Sequence, residues 1–250
     1  MTGKVYLIGA GPGDPDLLTR KAWRLLQEAD VILHDDLVPP EILALAPLHA
    51  QVFSVGKRCR QRRITQQDIN FLMVSSAQSG LRVVRLKGGD PQIFGRLGEE
   101  IKALREAEID FEIVPGVTAA CAAAASAGIP LTDRQLASEL VFLTGHRASG
   151  RSPGQAWGRL SAGATVVVYM PGSNYEELAE QLCQAGLRPD TPCLILASAS
   201  RPEEQRHLTT IEHLPEASLR VAPSVLIVGA VAALARHPAD ELEEEVIYAH

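Results

Sequence analysis

The chain has 250 residues, of which 46% are hydrophobic, 22% are charged and 4% are aromatic, and its formal net charge at pH 7 is −6. The negative net charge argues against a general nucleic-acid-binding protein. No stretch of the sequence contains the roughly 18 consecutive apolar residues that a membrane span needs. We therefore expect a globular protein of one large or two small domains, with no nucleic-acid and no membrane partner.

The N-terminus and the cysteines indicate a cytoplasmic protein. The first residues enter a strand-like run without the charged and then apolar leader of a secreted protein. The cysteines show neither a CxxC pair nor the Cys/His spacing of a metal site, so we expect reduced thiols and no metal. They are Cys59, Cys121, Cys183 and Cys193.

Short apolar runs alternate with helical patterns through the first half of the chain. This alternation predicts repeated β-α-β units and a mainly parallel sheet that is covered on both faces. Thr65 is placed to cap one of the helices, and Gly80 is placed to end it. The predicted strands are 4–11, 31–38, 52–57, 82–91 and 111–117, and the predicted helices are 15–30, 65–80, 99–109 and 118–128.

The alternation breaks at residues 128–139 and then starts again, which predicts a second α/β domain. We place the N-terminal α/β domain at 1–134 and the C-terminal α/β domain at 135–250, with an acidic tail at 240–250. The predicted fold class is therefore α/β, with two α/β domains that have mainly parallel sheets. The predicted strands of the second domain are 140–146, 165–172, 192–200, 206–210 and 223–231, and a helix is predicted at 174–186.

The first glycine-rich turn, GAGPGD at residues 9–14, follows the first predicted strand. Its third glycine falls one position earlier than in the dinucleotide-binding fingerprint, and Asp14 occupies the place of that glycine. A carboxylate there would repel a pyrophosphate at the helix N-terminus. A nicotinamide dinucleotide site is therefore disfavoured, and a tight structural turn capped by Asp14, with Pro15 in the first helical turn, remains an alternative.

Two further strand-to-helix turns, RLKGGDP at 85–91 and VPGVTAA at 114–120, have the same character. The paired glycines of the first of these allow unusual backbone angles or close contact, although a plain turn is an alternative. Because the carboxyl ends of parallel strands meet at one edge of the sheet, three such turns favour a nucleoside-like ligand. The chain has no GxxxxGK(S/T) motif, so S-adenosylmethionine is favoured over ATP or NAD.

Charged residues form two more candidate features. The stretch VGKRCRQRR at 55–63 concentrates positive charge in an acidic chain, and it fits a solvated loop, a site for a polycarboxylate or phosphate, or an RNA contact. In HDDLV at 34–38, Asp35 and Asp36 follow a predicted strand, where an acid serves as a helix cap or as a catalytic base. The basic side chains are Lys57, Arg58, Arg60, Arg62 and Arg63.

Taken together, these motifs resemble the tetrapyrrole methylase family, in the branch that acts on uroporphyrinogen III. The similarity joins VYLIGAGPGDPDLLT, VGKR, RLKGGDP-x-IFGR-x-GEE, AGIPLT, LTGH and VGAV, and it extends over nearly the whole chain. It implies two α/β domains with an active cleft between them, a homodimer, and S-adenosylmethionine as methyl donor, with S-adenosylhomocysteine as its product. It also implies methylation of uroporphyrinogen III at carbons 2 and 7 to give precorrin-2, which feeds sirohaem and cobalamin synthesis.

The resemblance also implies which residues form the site. Asp35 matches the proton acceptor of the family, and Lys57 matches its proposed proton donor. Uroporphyrinogen is a polycarboxylate, so the neighbouring arginines are expected to bind it. These substrate-binding residues are Arg58, Arg60, Arg62 and Arg63. The expected donor-binding residues are Pro12, Gly88, Gly89, Asp90, Ile93, Thr118, Ala119, Met170 and Ala199.

The sequence departs from the family pattern at several places. HDDLV lacks the usual tyrosine, Arg62 and Arg63 replace a common His-Ser pair, and YMPGSN and SASRPEEQR differ from the usual turns. The alternatives are a methyltransferase of the same fold that acts on a later corrin precursor or on RNA, and a non-catalytic module that binds the methyl donor.

Overall fold

A computed structural model describes residues 2–56, 64–145 and 157–235 of the chain. A strand is present at each of the ten predicted strand positions. The chain divides into two compact units, Met1–Ala119 and Ala120–His250, and the described residues of each unit form one five-stranded sheet. The predicted α/β fold with two domains is confirmed.

The first unit alternates strands with helices. Its strands are β1 (Val5–Gly9), β2 (Val31–His34), β3 (Gln51–Ser54), β4 (Val83–Lys87) and β5 (Phe111–Val114). Its helices are α1 (Arg20–Gln27), α2 (Pro40–Leu43), α3 (Gln66–Gln78) and α4 (Leu97–Glu106), and a 3-10 helix spans Pro15–Leu17. The strand order is β3-β2-β4-β1-β5 with parallel pairing throughout, so the carboxyl ends of β4, β1 and β5 lie side by side.

Helices cover both faces of this sheet, because successive side chains of a strand point to opposite faces. On β1, Ile8 packs in one core with Leu26 of α1. The neighbouring Leu7 packs in a second core with Met73 of α3 and Leu104 of α4. Burial on both faces explains why the strands are continuous apolar runs in the sequence.

The helix ends follow the local signals in the sequence. Thr65 and Asp68 form a capping box at the start of α3, and Gly80, with φ +85°, follows the end of that helix. The predicted helix 15–30 is divided into a 3-10 helix and α1, and Thr19 caps α1. Helix α2 has no counterpart among the predicted helices, because a helix of four residues is too short to show a helical period.

In its described residues, 120–145 and 157–235, the second unit contains two α-helices and a mixed sheet. The helices are α5 (Ala119–Ser126), which begins at the boundary of the units, and α6 (Tyr175–Gln184). The strands are β6 (Glu139–Thr144), β7 (Ala164–Tyr169), β8 (Pro192–Ala197), β9 (Gln205–Thr210) and β10 (Ser224–Val228), and 3-10 helices span Leu214–Glu216 and Ala230–Leu234. None of the helices in the described ranges has the length and apolar character that a bilayer span requires.

The pairing in the second sheet corrects one expectation from the sequence. The order is β6-β7-β10-β8-β9, and β6 and β7 pair in parallel, whereas the other three pairings are antiparallel. The mainly parallel arrangement is therefore found in the first sheet and not in the second. β7, α6 and β8 still form a β-α-β unit whose strands run in the same direction, but β10 is inserted between them. An apolar run in the sequence predicts a strand, but it does not show between which other strands of the sheet that strand will lie.

The two units divide at the start of α5, earlier than the predicted boundary at residues 134 and 135. The contacts of α5 explain the difference. The Ala120 N–H donates to Tyr169 Oη at 3.4 Å, and Ser126 Oγ is bonded to the Glu204 carboxylate. Helix α5 thus follows β5 in the sequence but is bonded to the second unit.

Candidate functional site

Three turns meet at the carboxyl edge of the first sheet, one after each of β1, β4 and β5. Gly11 and Gly89 join the first two turns: the Gly89 N–H donates to Gly11 O at 2.7 Å, and the Gly11 N–H donates to Gly89 O at 3.2 Å. The third turn is attached through Gly116, whose N–H donates to Asp90 Oδ2 at 3.1 Å. The turns therefore form one backbone cluster, as the sequence predicts.

Glycine is required in this cluster because the backbones are in close contact. A Cβ on Gly116 would lie 2.4 Å from Gly89 O, and a Cβ on Gly9 would lie 2.6 Å from the same oxygen. Gly89 has φ +69°, and the nearest described atom to a Cβ on it would be Ala119 N at 3.9 Å. Gly9 and Gly116 thus allow the turns to pack closely against one another. At Gly89, in contrast, the described residues leave room for a Cβ.

The carboxylate of each Gly-Asp-Pro turn accepts hydrogen bonds from nearby backbone N–H groups. Asp90 Oδ1 accepts the Gln92 N–H at 2.7 Å, while Oδ2 accepts the Gly116 N–H. Asp14 Oδ1 accepts the Asp16 N–H at 2.8 Å and caps the 3-10 helix. Both carboxylates shape their turns, which is a structural reason for acids at these positions.

The donor-binding residues predicted in the first unit all lie in or next to these turns. Pro12 is half-buried in the first turn, and the Ile93 N–H donates to Asp90 O at 3.2 Å in the second. Thr118 ends the third turn. The full set is Pro12, Gly88, Gly89, Asp90, Ile93, Thr118 and Ala119. That the three turns come together is confirmed, and the role of these residues in binding stays a prediction.

Asp35 lies beside this cluster, at the carboxyl end of β2. Its N–H donates to Leu86 O of β4 at 3.2 Å. A Cβ on Gly88 would lie 2.8 Å from Leu37 Cβ, so the chain that follows β2 also contacts the second turn. The Asp35 carboxylate forms an ion pair with Arg85, and 30% of its side chain is exposed. Asp35 is therefore held at the same edge as the turns and is accessible there.

Next to Asp35 lies a buried cluster of charges that the sequence analysis did not identify. Arg85 Nε and Lys87 Nζ each donate to Glu100 Oε1 at 2.9 Å, and all three side chains are buried. Burial and the charge of Arg85 lower the pKa of Lys87. Burial also lowers the pKa of Arg85, but the carboxylates of Asp35 and Glu100 outweigh it and raise that pKa. Arg85 is thus a permanent charge between two carboxylates.

One signal for the charge cluster is present in the sequence. In the run VVRLK of β4, Arg85 and Lys87 are two residues apart, so they lie on one face of the strand. Two charges on a central strand need buried partners, because an unpaired buried charge is costly. The partner Glu100 belongs to α4, and only the packing of α4 on the sheet identifies it.

In the second unit, two predicted donor-binding residues follow β7 and β8. Met170 comes directly after β7, and Ala199 is the second residue after β8. Because these strands run in the same direction, both residues lie at one edge of the second sheet. Met170 has φ +49°, and Ser198 and Ser200, on either side of Ala199, have φ +53° and φ +62°. Such left-handed backbone is uncommon for residues other than glycine.

Left-handed backbone at non-glycine residues is concentrated near the predicted donor-binding residues. It occurs at six positions of the described chain, and five of them lie within three residues of a predicted contact. Strain of this kind is often found at binding sites. The five positions are Phe94, Arg96, Met170, Ser198 and Ser200, and the sixth is Glu108.

The turn after β8 is anchored by one carboxylate. Glu204 Oε2 accepts the Ser200 N–H at 2.9 Å, and Oε1 accepts from Arg206 Nε at 2.8 Å. Arg206 Nη2 also donates to Ser126 Oγ at 3.1 Å. Burial raises the pKa of Glu204, but the bonds from Ser126, Ser200 and Arg206 outweigh it and hold that pKa below its ordinary value. SASRPEEQR is therefore an anchored turn despite its departure from the family pattern.

The basic cluster lies at residues 57–63, outside the described residues. The predicted proton donor and substrate-binding residues there are Lys57, Arg58, Arg60, Arg62 and Arg63. Their roles stay predictions. Over the described ranges, no group of three or more His, Cys, Asp or Glu side chains is arranged to hold a metal ion.

Comparison with known proteins gives a consistent result. The family described as Tetrapyrrole (Corrin/Porphyrin) Methylases matches residues 4–215. A uroporphyrinogen-III C-methyltransferase of Paracoccus denitrificans is 47% identical over 237 residues, which cover 93% of this chain and 83% of that protein. A siroheme synthase of Halorhodospira halophila is 44% identical over 239 residues, which cover 94% of this chain and 49% of that protein. The chain thus spans about half the length of the siroheme synthase.

A solved structure has the same fold. The crystal structure of uroporphyrin-III C-methyltransferase from Thermus thermophilus, complexed with S-adenyl homocysteine, superimposes with a TM-score of 0.80 at 40% sequence identity. The similarity covers 93% of this chain and 100% of that one.

Proposed function

Since the chain belongs to the tetrapyrrole (corrin/porphyrin) methylase family, we propose that it is an S-adenosylmethionine-dependent methyltransferase that acts on uroporphyrinogen III. The name of the Paracoccus relative and the S-adenyl homocysteine in the Thermus structure support this proposal. In its finer form, the proposal is methylation at carbons 2 and 7, which gives precorrin-2 for sirohaem or cobalamin synthesis.

The turns of the first unit suit a methyl donor that has a nucleoside but no phosphates. Among the described residues, a Cβ on Gly89 would have only Ala119 N within 4 Å, so there is room beside this residue, and the turns contain acids rather than the lysine of a phosphate-binding loop. When bound, S-adenosylmethionine supplies a methyl group from a cationic sulfonium. We assign its contacts to the seven turn residues of the first unit and to Met170 and Ala199 of the second.

The carboxylates of the proposed methyl acceptor, uroporphyrinogen III, are complementary in charge to the basic stretch at residues 57–63. Arginine side chains pair with carboxylates through two parallel hydrogen bonds, and uroporphyrinogen III presents several carboxylates. We propose that Arg58, Arg60, Arg62 and Arg63 bind them. The protein then has mainly to position the methyl acceptor, since an in-line displacement gains most from orientation.

Asp35 is the proposed proton acceptor. After methylation the macrocycle must lose a proton to restore its conjugation, and a carboxylate held at the site is a suitable base. Asp35 is accessible and is fixed by Arg85, which keeps it close to the turns. Lys57 is the proposed proton donor.

The observation that carries the proposal is the cluster of three bonded turns with Asp35 beside it at one sheet edge. The test is incubation of the protein with labelled S-adenosylmethionine and enzymatically made uroporphyrinogen III. We expect label in a methylated tetrapyrrole with an isobacteriochlorin-type absorption spectrum. Label in a later corrin precursor or in RNA, and none in uroporphyrinogen III, would reject the substrate.

The Asp35→Asn variant tests the assignment of the base. It should bind S-adenosylhomocysteine and uroporphyrinogen III normally but turn over about 100-fold more slowly, since a general base contributes about that factor. Asp110→Asn is the matched control, because this carboxylate is exposed and pairs with Lys4 at 3.1 Å, away from the turns. Near-normal turnover of Asp35→Asn would remove Asp35 from the mechanism.

We also propose, on the resemblance alone, that the protein is a cytoplasmic homodimer. Light scattering of the purified protein checks the assembly, and a mass equal to that of one chain would contradict it.

A further inference from the structure

The contacts of Arg85 extend beyond a simple ion pair. Its Nε donates to Glu100 Oε1 at 2.9 Å, and its Nη2 is bonded to Asp35 Oδ1. Its Nη1 donates to Leu33 O and to Leu86 O, at 3.3 Å each. The two carbonyls belong to the adjacent strands β2 and β4, so the sheet itself fixes the plane of the guanidinium.

The charged side chains become more exposed from the interior of the first unit to the edge of its sheet. Glu100 is fully buried, the Arg85 side chain is 2% exposed, and the Asp35 side chain is 30% exposed. With Lys87, the cluster holds two cations and two carboxylates, so its formal charges balance. Glu100 Oε2 has no hydrogen-bond partner in the described part of the chain, so Arg85 and Lys87 both bind Glu100 through its other oxygen, Oε1.

Stability alone does not account for this arrangement. Well-packed apolar residues often replace a buried ion cluster with no loss, or with a gain, of stability. Arg85 instead presents one donor from a rigid, buried position to an accessible carboxylate. Fixing one oxygen of Asp35 fixes the direction of the other, which is what a general base needs.

We propose that Arg85 is a positioning residue for Asp35 and that Glu100, supported by Lys87, fixes Arg85 in turn. The inference rests on the proposed function, in which Asp35 accepts the substrate proton. Lysine at position 85 would keep the charge, but a flexible ammonium cannot hold Glu100, two carbonyls and Asp35 at once. The fork of arginine is therefore specifically required.

A double-mutant cycle of Arg85→Met and Asp35→Asn tests the proposal, with kcat and KM for methyl transfer to uroporphyrinogen III as readouts. Arg85→Met should lower kcat about 10- to 100-fold, as misplacement of a catalytic group does. It should leave KM and the affinity for S-adenosylhomocysteine unchanged within about twofold. In the Asp35→Asn background it should cause no further loss of kcat. An equal fractional loss in both backgrounds, or an unchanged kcat in the first, would overturn the proposal.

Two milder variants keep the test decisive if Arg85→Met does not fold. Arg85→Lys and Glu100→Gln should show the same loss of kcat without loss of donor affinity, and the same dependence on Asp35. The control is Arg82→Met, which removes an exposed arginine pairing with Glu28 at 2.5 Å just before β4. This variant should keep the wild-type kcat.

A measurement that does not depend on enzymatic activity distinguishes this inference from the proposed function. In a crystal structure of Arg85→Lys, the Asp35 carboxylate should be displaced by more than about 1 Å, the scale at which catalytic geometry fails. An Asp35 that keeps its place would overturn the positioning role. If the wild-type protein instead fails to methylate uroporphyrinogen III, the proposed function fails, and the displacement of Asp35 still decides the role of Arg85.

Discussion

The two sheet edges that carry the predicted donor contacts obtain unusual backbone conformations in different ways. In the first unit glycines supply them inside the bonded turns, with Gly11 at φ +73° and Gly89 at φ +69°, and Phe94 and Arg96 follow with φ +52° and φ +56°. In the second unit Met170, Ser198 and Ser200 adopt comparable angles. Glycine does so without steric cost, whereas a residue with a Cβ loses roughly 1–2 kcal/mol. The bonded glycine turns of the first edge are thus crowded but relaxed, whereas the turns of the second edge are strained at residues with a Cβ and need anchoring bonds.

The two edges also differ in their charges. The first lies next to the buried cluster of Arg85, Lys87 and Glu100, which reaches Asp35. The second is anchored by the partly exposed pair of Glu204 and Arg206. A deeply buried charge is far more sensitive to loss of its partner than a partly exposed one. The two edges should therefore respond differently to substitution.

The largest effect is expected from Glu100→Leu in the first unit. The variant leaves Arg85 and Lys87 buried without their common partner, and it should lower the free energy of unfolding by about 3–5 kcal/mol. Glu106→Gln is the control, because its pair with Lys102 is exposed, with the two charged atoms 3.8 Å apart. Urea denaturation measures both, and equal losses would show that the buried cluster has no special energetic role.

The next effect is expected from Gly116→Ala, which tests the crowding of the turns. The new Cβ would lie 2.4 Å from Gly89 O, so the turns must separate, at a cost of about 1–3 kcal/mol. Gly98→Ala is the matched control in α4, where a Cβ meets no atom of the described chain within 4 Å. That variant should be stabilised by about 1 kcal/mol, because alanine favours a helix. A stable Gly116→Ala protein would contradict the crowding.

A pH-dependent effect is expected from Glu204→Gln in the second unit. The folded-state pKa of Glu204 lies below its ordinary value of 4.5, so the ionised group stabilises the fold above pH 4.5. That contribution is lost as the pH falls through the folded-state pKa. The variant should be less stable by about 1–2 kcal/mol at pH 7, a range between the contribution of a neutral hydrogen bond and that of one to a charge. The difference should shrink in denaturation curves below pH 4.5.

The control for that experiment is Asp190→Asn. Asp190 forms an exposed ion pair with Arg188, with the charged atoms 2.6 Å apart, and such pairs contribute little to stability. A Glu204→Gln difference that does not depend on pH would show that packing, not charge, anchors the turn.

The smallest effect is expected from Met170→Gly, which removes the strain of the second edge. Met170 is 46% exposed, so little buried contact is lost, and the variant should gain about 0.5–1 kcal/mol of stability. Glu108→Gly, at φ +56°, should gain a similar amount. Only Met170→Gly should weaken the binding of S-adenosylhomocysteine, measured by calorimetry. If Met170→Gly binds S-adenosylhomocysteine with unchanged affinity, the strained backbone at Met170 has no role in donor binding.

The strands and the turns could be predicted from the sequence because their signals are local. Strands buried on both faces are continuous apolar runs, and glycine marks a turn that needs close contact or positive φ, as at Gly89. The left-handed backbone of Met170 has no such mark, since methionine carries no local preference for it. The buried cluster was missed for another reason: Arg85 and Glu100 are 15 positions apart and meet only through packing.

The sequence by itself therefore determined the α/β class, the order of the strands and of the longer helices, and the meeting of three turns beside Asp35 at one sheet edge. These follow from periodicity and from the parallel direction of strands joined by helices. Only the tertiary structure decided that β10 lies between β7 and β8, that α5 belongs to the second unit, and that Arg85 links Glu100 to Asp35. The physical reason is that these features depend on contacts between distant segments, which no local pattern encodes.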